Sequence, residues 1–209
     1  MRSYTVYLIR HGMNEGATDG RYIGHTDVSL LSQGKEELFE LKNKYVYPPV
    51  SAVFSSPLKR CLESAKILYP DNEPLVLDDL IECNFGSWEN KTALELKGND
   101  LFARWLAGEK GVCPPFGESG TDFVKRVCAI FEKLTEGLMK TGTFETAVIT
   151  HQGVMGIILA CYGLPSRPMH WWITGNGNGF TLKINPILWS HQKKFEIFSK
   201  FPYEREDTD

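Results

Sequence analysis

Four side chains sit where they could meet and do chemistry together. Arg10 and His11 end the short apolar run of "TVYLIRHG", His151 follows a second apolar run, "TAVIT", and Arg60 falls early in "SSPLKRCLESAKIL". With no carboxylate among them, they make a compact set of cationic and hydrogen-bonding groups, which suits a phosphoryl group. Arginine offers a planar fork of donors that matches phosphate oxygens bidentately. A neutral imidazole held in one tautomer by a backbone carbonyl presents its other nitrogen to phosphorus. The covalent phosphohistidine formed that way still needs a proton for the departing alkoxide and then a base for water. Glu82, in "LIECNFGSWE", offers a carboxyl group for both steps.

Each of these residues alone is weak evidence, and Arg60 could be a solvated helix residue. His25, His170 and His191 have no comparable context and read as packed or surface residues. The weight lies in placement. Each reactive residue falls at the end of a predicted strand or in the first helical turns after one.

The predicted elements follow from periodicity. Thr5 to Ile9 reads as a strand covered on both faces, and Ser51 to Phe54, Leu75 to Leu77 and Thr146 to Thr150 as further strands. Gln33 to Lys44 reads as a solvent-facing helix, and "SSPLKRCLESAKIL" as a helix with Pro57 in its first turn. Residues 88 to 115 read as a helical stretch broken by glycines. Val124 to Leu138 is a long amphipathic helix with start signals at Glu118, Ser119 and Thr121, and Val154 to Leu164 another helix. Phe180 to Ile184 and Leu188 to Phe198 read as terminal strands joined through Asn185 and Pro186, and "EREDTD" as a frayed tail. This alternation predicts a three-layer α/β/α sandwich around a mostly parallel sheet, with 88–115 as a small helical cap. In such sheets ligands bind beyond the carboxyl ends of the strands, where Arg10, His11 and His151 lie.

Composition narrows the classes. A chain of 209 residues with 42% hydrophobic content supports one sizeable core, hence a single domain over 1–209. A net charge of −3 argues against nucleic acid and against a basic membrane-facing surface. Five scattered cysteines without a CxxC pair suggest reduced, packed thiols rather than a zinc site or disulfide framework. No segment reads as a signal sequence or membrane span, so a cytoplasmic location is expected, and association into a homodimer is left open.

As a set, "LIRHG", "RYIGHTDVSL", "SSPLKRCLESA", "LIECNFGSWE", "FGES" and "THQG", in that order, resemble the histidine phosphatase superfamily, which includes the cofactor-dependent phosphoglycerate mutases. The resemblance runs from about Tyr4 to Ile184. It implies that His11 is the phosphorylated nucleophile, that Arg10, Arg60 and His151 form the phosphate pocket, and that Glu82 is the proton donor. His151 is followed by Gln152 rather than the aspartate of the acid-phosphatase branch, which leaves the acid role to Glu82. Only six residues separate Pro70 from Leu77, so the insertion usual in mutases is missing and a phosphatase is favoured.

"YIGH", "FGSWE", "THQGV" and "GLP" are similar to alpha-ribazole phosphatases, which remove the 5′-phosphate of a benzimidazole nucleotide in cobalamin assembly. The resemblance adds Tyr22, Gly24 and Gln152 to the expected substrate contacts. Met13-Asn14 and Ala17 depart from the family pattern, with Asn14 able to offer an amide donor to the phosphate. Tyr22, Phe85, Trp88, Trp105 and Phe116 could wall a flat base, although aromatics at helical spacing are more often core. The expected partner is a small-molecule phosphate monoester. No cofactor or metal is implied, because the arginines would do the charge neutralisation that magnesium does in many phosphoryl-transfer enzymes. The alternatives are a broad-specificity metabolite phosphatase, a mutase-like enzyme and a catalytically dead phospholigand-binding protein.

Overall fold

A computed structural model describes residues 2–16 and 19–205; Ala17 and the end of the charged tail lie outside the described residues. In chain order the elements are β1 (Tyr4–Arg10), α1 (Ser32–Lys44), β2 (Tyr45–Val46), β3 (Ala52–Ser55), α2 (Lys59–Leu68), β4 (Leu75–Val76), α3 (Asp100–Leu106), α4 (Gly120–Thr141), β5 (Glu145–Thr150), α5 (Gln152–Tyr162), β6 (Gly163–Leu164), β7 (Gly179–Ile184), α6 (Pro186–Gln192), β8 (Phe195–Phe201) and β9 (Tyr203–Glu204). Seven strands form one sheet in the order β4-β3-β5-β1-β7-β8-β6, and β2 pairs with β9 apart from it. Within the large sheet β7 alone runs against its neighbours.

The period-2 alternation of β1 divides the core. Val6 and Leu8 face a cluster that takes in Phe131 and Leu134 of α4 and Ile158 of α5, whereas Tyr7 and Ile9 face Leu38 of α1 and Ala65 and Leu68 of α2. Helices therefore cover both faces, as the near-continuous apolar run of the strand predicts. A third small cluster joins Trp88, Leu96 and Phe102 to Tyr22, Phe85, Leu101 and Trp105.

Local chemistry corrects several expectations. Residues 88 to 115 contain only the short α3, because Gly98, Gly108 and Gly111 take positive φ of 89°, 72° and 82° and turn the chain at each. The strand expected from Leu188 begins as helix α6, since the Asn185 side chain accepts from the N–H groups of Ile187 and Leu188 and Pro186 occupies the first turn. Lys193, at φ +50°, closes that helix before β8. Pro57 precedes α2 rather than entering it, because Leu58 keeps an extended backbone as N-cap. Helix α5 stops at Tyr162, and Gly163–Leu164 leaves it to pair with β8. Among the described residues no helix is long and apolar enough to cross a membrane.

Candidate active site

The register between β1 and β5 brings the two histidines together. Arg10 lies opposite Thr150 in this parallel pair, so His11 and His151 each stand one residue beyond adjacent strand ends. Their ring centroids are 5.1 Å apart, with planes inclined at 62°. The His11 N–H donates to Thr150 O at 3.0 Å, and Asn176 Nδ2 donates to His11 O at 2.8 Å. Nδ1 of His11 lies 2.7 Å from Gly12 O. A carbonyl can only accept, so Nδ1 carries the proton and Nε2 keeps its lone pair.

Arg60 is fully buried and built into its surroundings. Its Nε donates to His151 Nδ1 at 3.3 Å, Nη1 to Thr26 O at 2.9 Å and Nη2 to Gly24 O at 2.7 Å. Two of the five guanidinium N–H groups thus keep their capacity for an anion. The carbonyls that hold Arg60 are themselves fixed by Glu89, whose carboxylate accepts from the backbone N–H groups of Gly24, His25, Thr26 and Phe85 at 3.0–3.2 Å. A Cβ at Gly24 would collide with Cys83 O, so only glycine lets this loop lie against the acidic block. Gly24 was expected among the substrate contacts; its hydrogen bonds go to Arg60 and Glu89.

Arg10 reaches the site from the other side. Its Nη1 donates to Thr174 O at 2.7 Å, while its Nε is buried and has no partner among the described residues. Gln152, also expected to touch substrate, uses both ends of its amide on backbone: Nε2 donates to Trp172 O at 2.9 Å, and Oε1 accepts from Thr174 N–H at 3.1 Å. The segment that orients Arg10 is what it holds.

Glu82 follows a 3-10 turn at Asp78–Leu80 and rests on the start of α5. Its Oε2 accepts from Gly153 N–H and its Oε1 from Cys83 N–H, both at 3.0 Å. A Cβ at Gly153 would collide with Oε1, so the glycine of "HQG" permits this approach. Beside Glu82 opens a cavity of about 420 Å³, whose lining includes Phe85, Trp105, Phe123, Val124, Ile157 and Met169 and, among the described residues, no lysine or arginine.

The aromatic residues expected to wall that cavity separate. Phe85 and Trp105 line it. Tyr22 meets Phe85 and Trp105 edge-on at 5.2 and 5.8 Å. Trp88 is core, and Phe116, at φ +61°, is 96% exposed. Asn14 is buried and bridges Leu30 through its backbone.

The sequence profile described as "Histidine phosphatase superfamily (branch 1)" matches residues 6–193. This chain belongs to that superfamily. It is 27% identical, over 86% of its own length and 90% of the relative's, to an adenosylcobalamin/alpha-ribazole phosphatase of Escherichia coli. It is 30% identical to phosphoserine phosphatase 1 of Hydrogenobacter thermophilus, over 61% of this chain and 62% of that one. Its fold is that of the alpha-ribazole phosphatase crystal structure from Shigella flexneri, with a TM-score of 0.81, 23% identity and coverage of 97% and 100% of the two chains.

Burial sets the protonation states in this histidine phosphatase. It pushes His11 down to about 3, with Arg60 and Arg10 adding to the fall and the bond to Gly12 opposing it. His151 is held well below its usual value by burial and then by His11 and Arg60. With Nδ1 accepting from Arg60, its Nε2 carries the proton and donates to Ser56 Oγ at 2.8 Å. His151 therefore brings a hydrogen-bonding dipole rather than a charge. Glu82 is raised by burial, against the pull of the Gly153 and Cys83 N–H groups and of Arg60 and Arg126.

These shifts have a measurable consequence for stability. The unfolded chain protonates both histidines below about pH 6.5 while the native state keeps them neutral, so the unfolded state binds more protons and stability falls as pH drops. Glu82 acts in the opposite sense, since the native protein holds a proton there above the usual 4.5. Two imidazoles outweigh one carboxyl. Stability from urea unfolding is expected to fall by roughly 1–2 kcal/mol per unit between about pH 6.5 and 5. A flat profile in that range would mean that an imidazole of the pair is charged in the folded protein.

Sequence reasoning gave no role to Glu89, Arg126, Ser56 or the 172–178 segment. Glu89 closes the quoted "FGSWE", so its position is in view, but three of the four backbone N–H groups it accepts from belong to a loop over sixty residues earlier in the chain.

Proposed function

We propose that this histidine phosphatase hydrolyses phosphomonoesters through a phosphohistidine at His11, and that alpha-ribazole 5′-phosphate is its substrate. The observation that carries the mechanism is His11 itself: neutral, with Nδ1 held by Gly12 O and Nε2 without a partner among the described residues, next to the Arg10 guanidinium. Nε2 attacks phosphorus in line with the ester bond, which breaks as Glu82 passes its proton to the departing oxygen. Arg10 and Arg60 hold the equatorial oxygens, His151 supports Arg60, and Asn14 adds an amide donor. The Glu82 carboxylate then takes a proton from water as that water attacks phosphorus, releasing inorganic phosphate and restoring His11.

The leaving group emerges beside Glu82, and the cavity there favours an apolar, flat body. A cation-free lining leaves the carboxylate of phosphoserine or phosphoglycerate without a partner, whereas a benzimidazole finds Phe85, Trp105 and Met169. Residues 88–115 act as the cap that supplies Trp105 to this wall.

Phosphate release from alpha-ribazole 5′-phosphate, phosphoserine, 3-phosphoglycerate and p-nitrophenyl phosphate, all in EDTA, tests the reading. The expected result is a kcat/KM for the ribazole ester at least about a hundredfold above the carboxylated esters, with no loss to the chelator. Comparable rates on all four would make this a broad metabolite phosphatase. Preference for phosphoserine would overturn the substrate assignment.

A further inference from the structure

The acid loop is held by a residue that none of the site chemistry above uses. Arg126, on α4, has all five guanidinium N–H groups engaged. Nη1 donates to Asp79 O at 2.8 Å and Ile81 O at 2.9 Å, and Nη2 donates to Glu82 O at 3.2 Å. Nε and Nη2 also form a two-pronged bond to the Glu118 carboxylate at 2.9 and 2.8 Å. The pair is largely buried, with side chains 18% and 15% exposed. Glu118 belongs to the "FGES" segment, and its own N–H donates to Asn84 O at 2.9 Å. One guanidinium thus ties the backbone of residues 79–82 to the loop that leads into α4.

We propose that Arg126, balanced by Glu118, is a positioning residue that sets both the place of Glu82 and the charge it experiences during proton transfer. Its saturated donors leave none for substrate, so its effect must pass through Glu82. The inference rests on Glu82 being the proton donor proposed above. Other groups also face Glu82: Arg10 from β1, Arg60 and Cys61 from α2, and the adjacent Cys83. Arg126 differs from the two phosphate-facing arginines in having a carboxylate of its own, so its net field can be changed in either direction.

That permits a test with opposed signs. Arg126→Met removes a positive charge from beside Glu82, so the carboxyl holds its proton to higher pH and the alkaline limb of kcat/KM moves up. Glu118→Gln keeps Arg126 but removes its counter-charge, and the limb moves down. Shifts of about 0.5–1 unit in opposite directions are expected. Arg126→Met should also cost roughly 10–100-fold on an alkyl ester such as alpha-ribazole 5′-phosphate and much less on p-nitrophenyl phosphate, whose leaving group needs less protonation.

A role in stability alone would slow both esters together and leave both pH limbs in place, and that result would overturn the proposal. If Arg126→Met does not fold, as judged by circular dichroism, the direction of the Glu118→Gln shift decides: downward supports the proposal, and no shift or an upward one overturns it. Glu82→Gln is run beside them. If it slows both esters equally, Glu82 is not the acid and the catalytic reading fails with the inference. If Glu82→Gln discriminates between the esters but Arg126→Met does not, only the inference fails.

Discussion

His11→Ala is expected to lose phosphate release by at least about 10⁴-fold in kcat while still binding inorganic phosphate within a few-fold of the parent. The two halves of this expectation come from different parts of the site. Turnover needs the Nε2 lone pair, which no neighbour replaces: His151 is neutral, with one nitrogen accepting from Arg60 and the other donating to Ser56. Binding needs the arginines, and their supports do not pass through the His11 ring. Arg60 hangs from Gly24 and Thr26, and Arg10 from Thr174. Phosphate release and calorimetric titration with phosphate separate the two halves. A parent protein that binds phosphate but turns over none of the esters would identify a binding module instead.

Glu82→Gln is the second large effect, and its signature is dependence on the leaving group. Glutamine keeps the acceptor for Gly153 N–H but cannot give up a proton, so an alkyl ester should slow by about 10²–10⁴-fold and p-nitrophenyl phosphate far less. The pH profile carries a sign as well. Burial raises the Glu82 pKa, and activity that depends on the protonated acid is lost as pH rises through that raised value. The Gln variant should keep its residual activity flat across that limb. A limb that survives the substitution assigns the titration to another group and removes Glu82 from the acid role.

Legibility in the sequence followed the range of the interactions involved. The strand-end positions of Arg10, His11 and His151 could be read because β1 and β5 are short, apolar and bounded by polar residues, and strand ends locate a crevice in this kind of sheet. The same local logic applies to α6, where Asn185-Pro186 is a helix-start signal, and the strand expected from Leu188 begins only at Phe195. The 88–115 stretch has helical composition, but its glycines stand where the chain reverses, and composition does not order those turns.

Within the site, what stayed hidden was support rather than chemistry. Gly24 and Gln152 stand in motifs that place them with substrate, yet both act on the segments that hold the two arginines. Arg126 lies among the charged residues of a long amphipathic helix, and only tertiary folding brings the carbonyls of Asp79, Ile81 and Glu82 to it.

The most direct test of the account is to trap the intermediate: mix the protein with alpha-ribazole 5′-phosphate, quench in alkali within the first turnovers, and map the modified peptide by mass spectrometry. The account predicts one phosphoryl group on His11, stable to base and labile to acid, and absent from His11→Ala. A phosphoryl group on any other residue, or full turnover with no phosphorylated protein at any time, would contradict it.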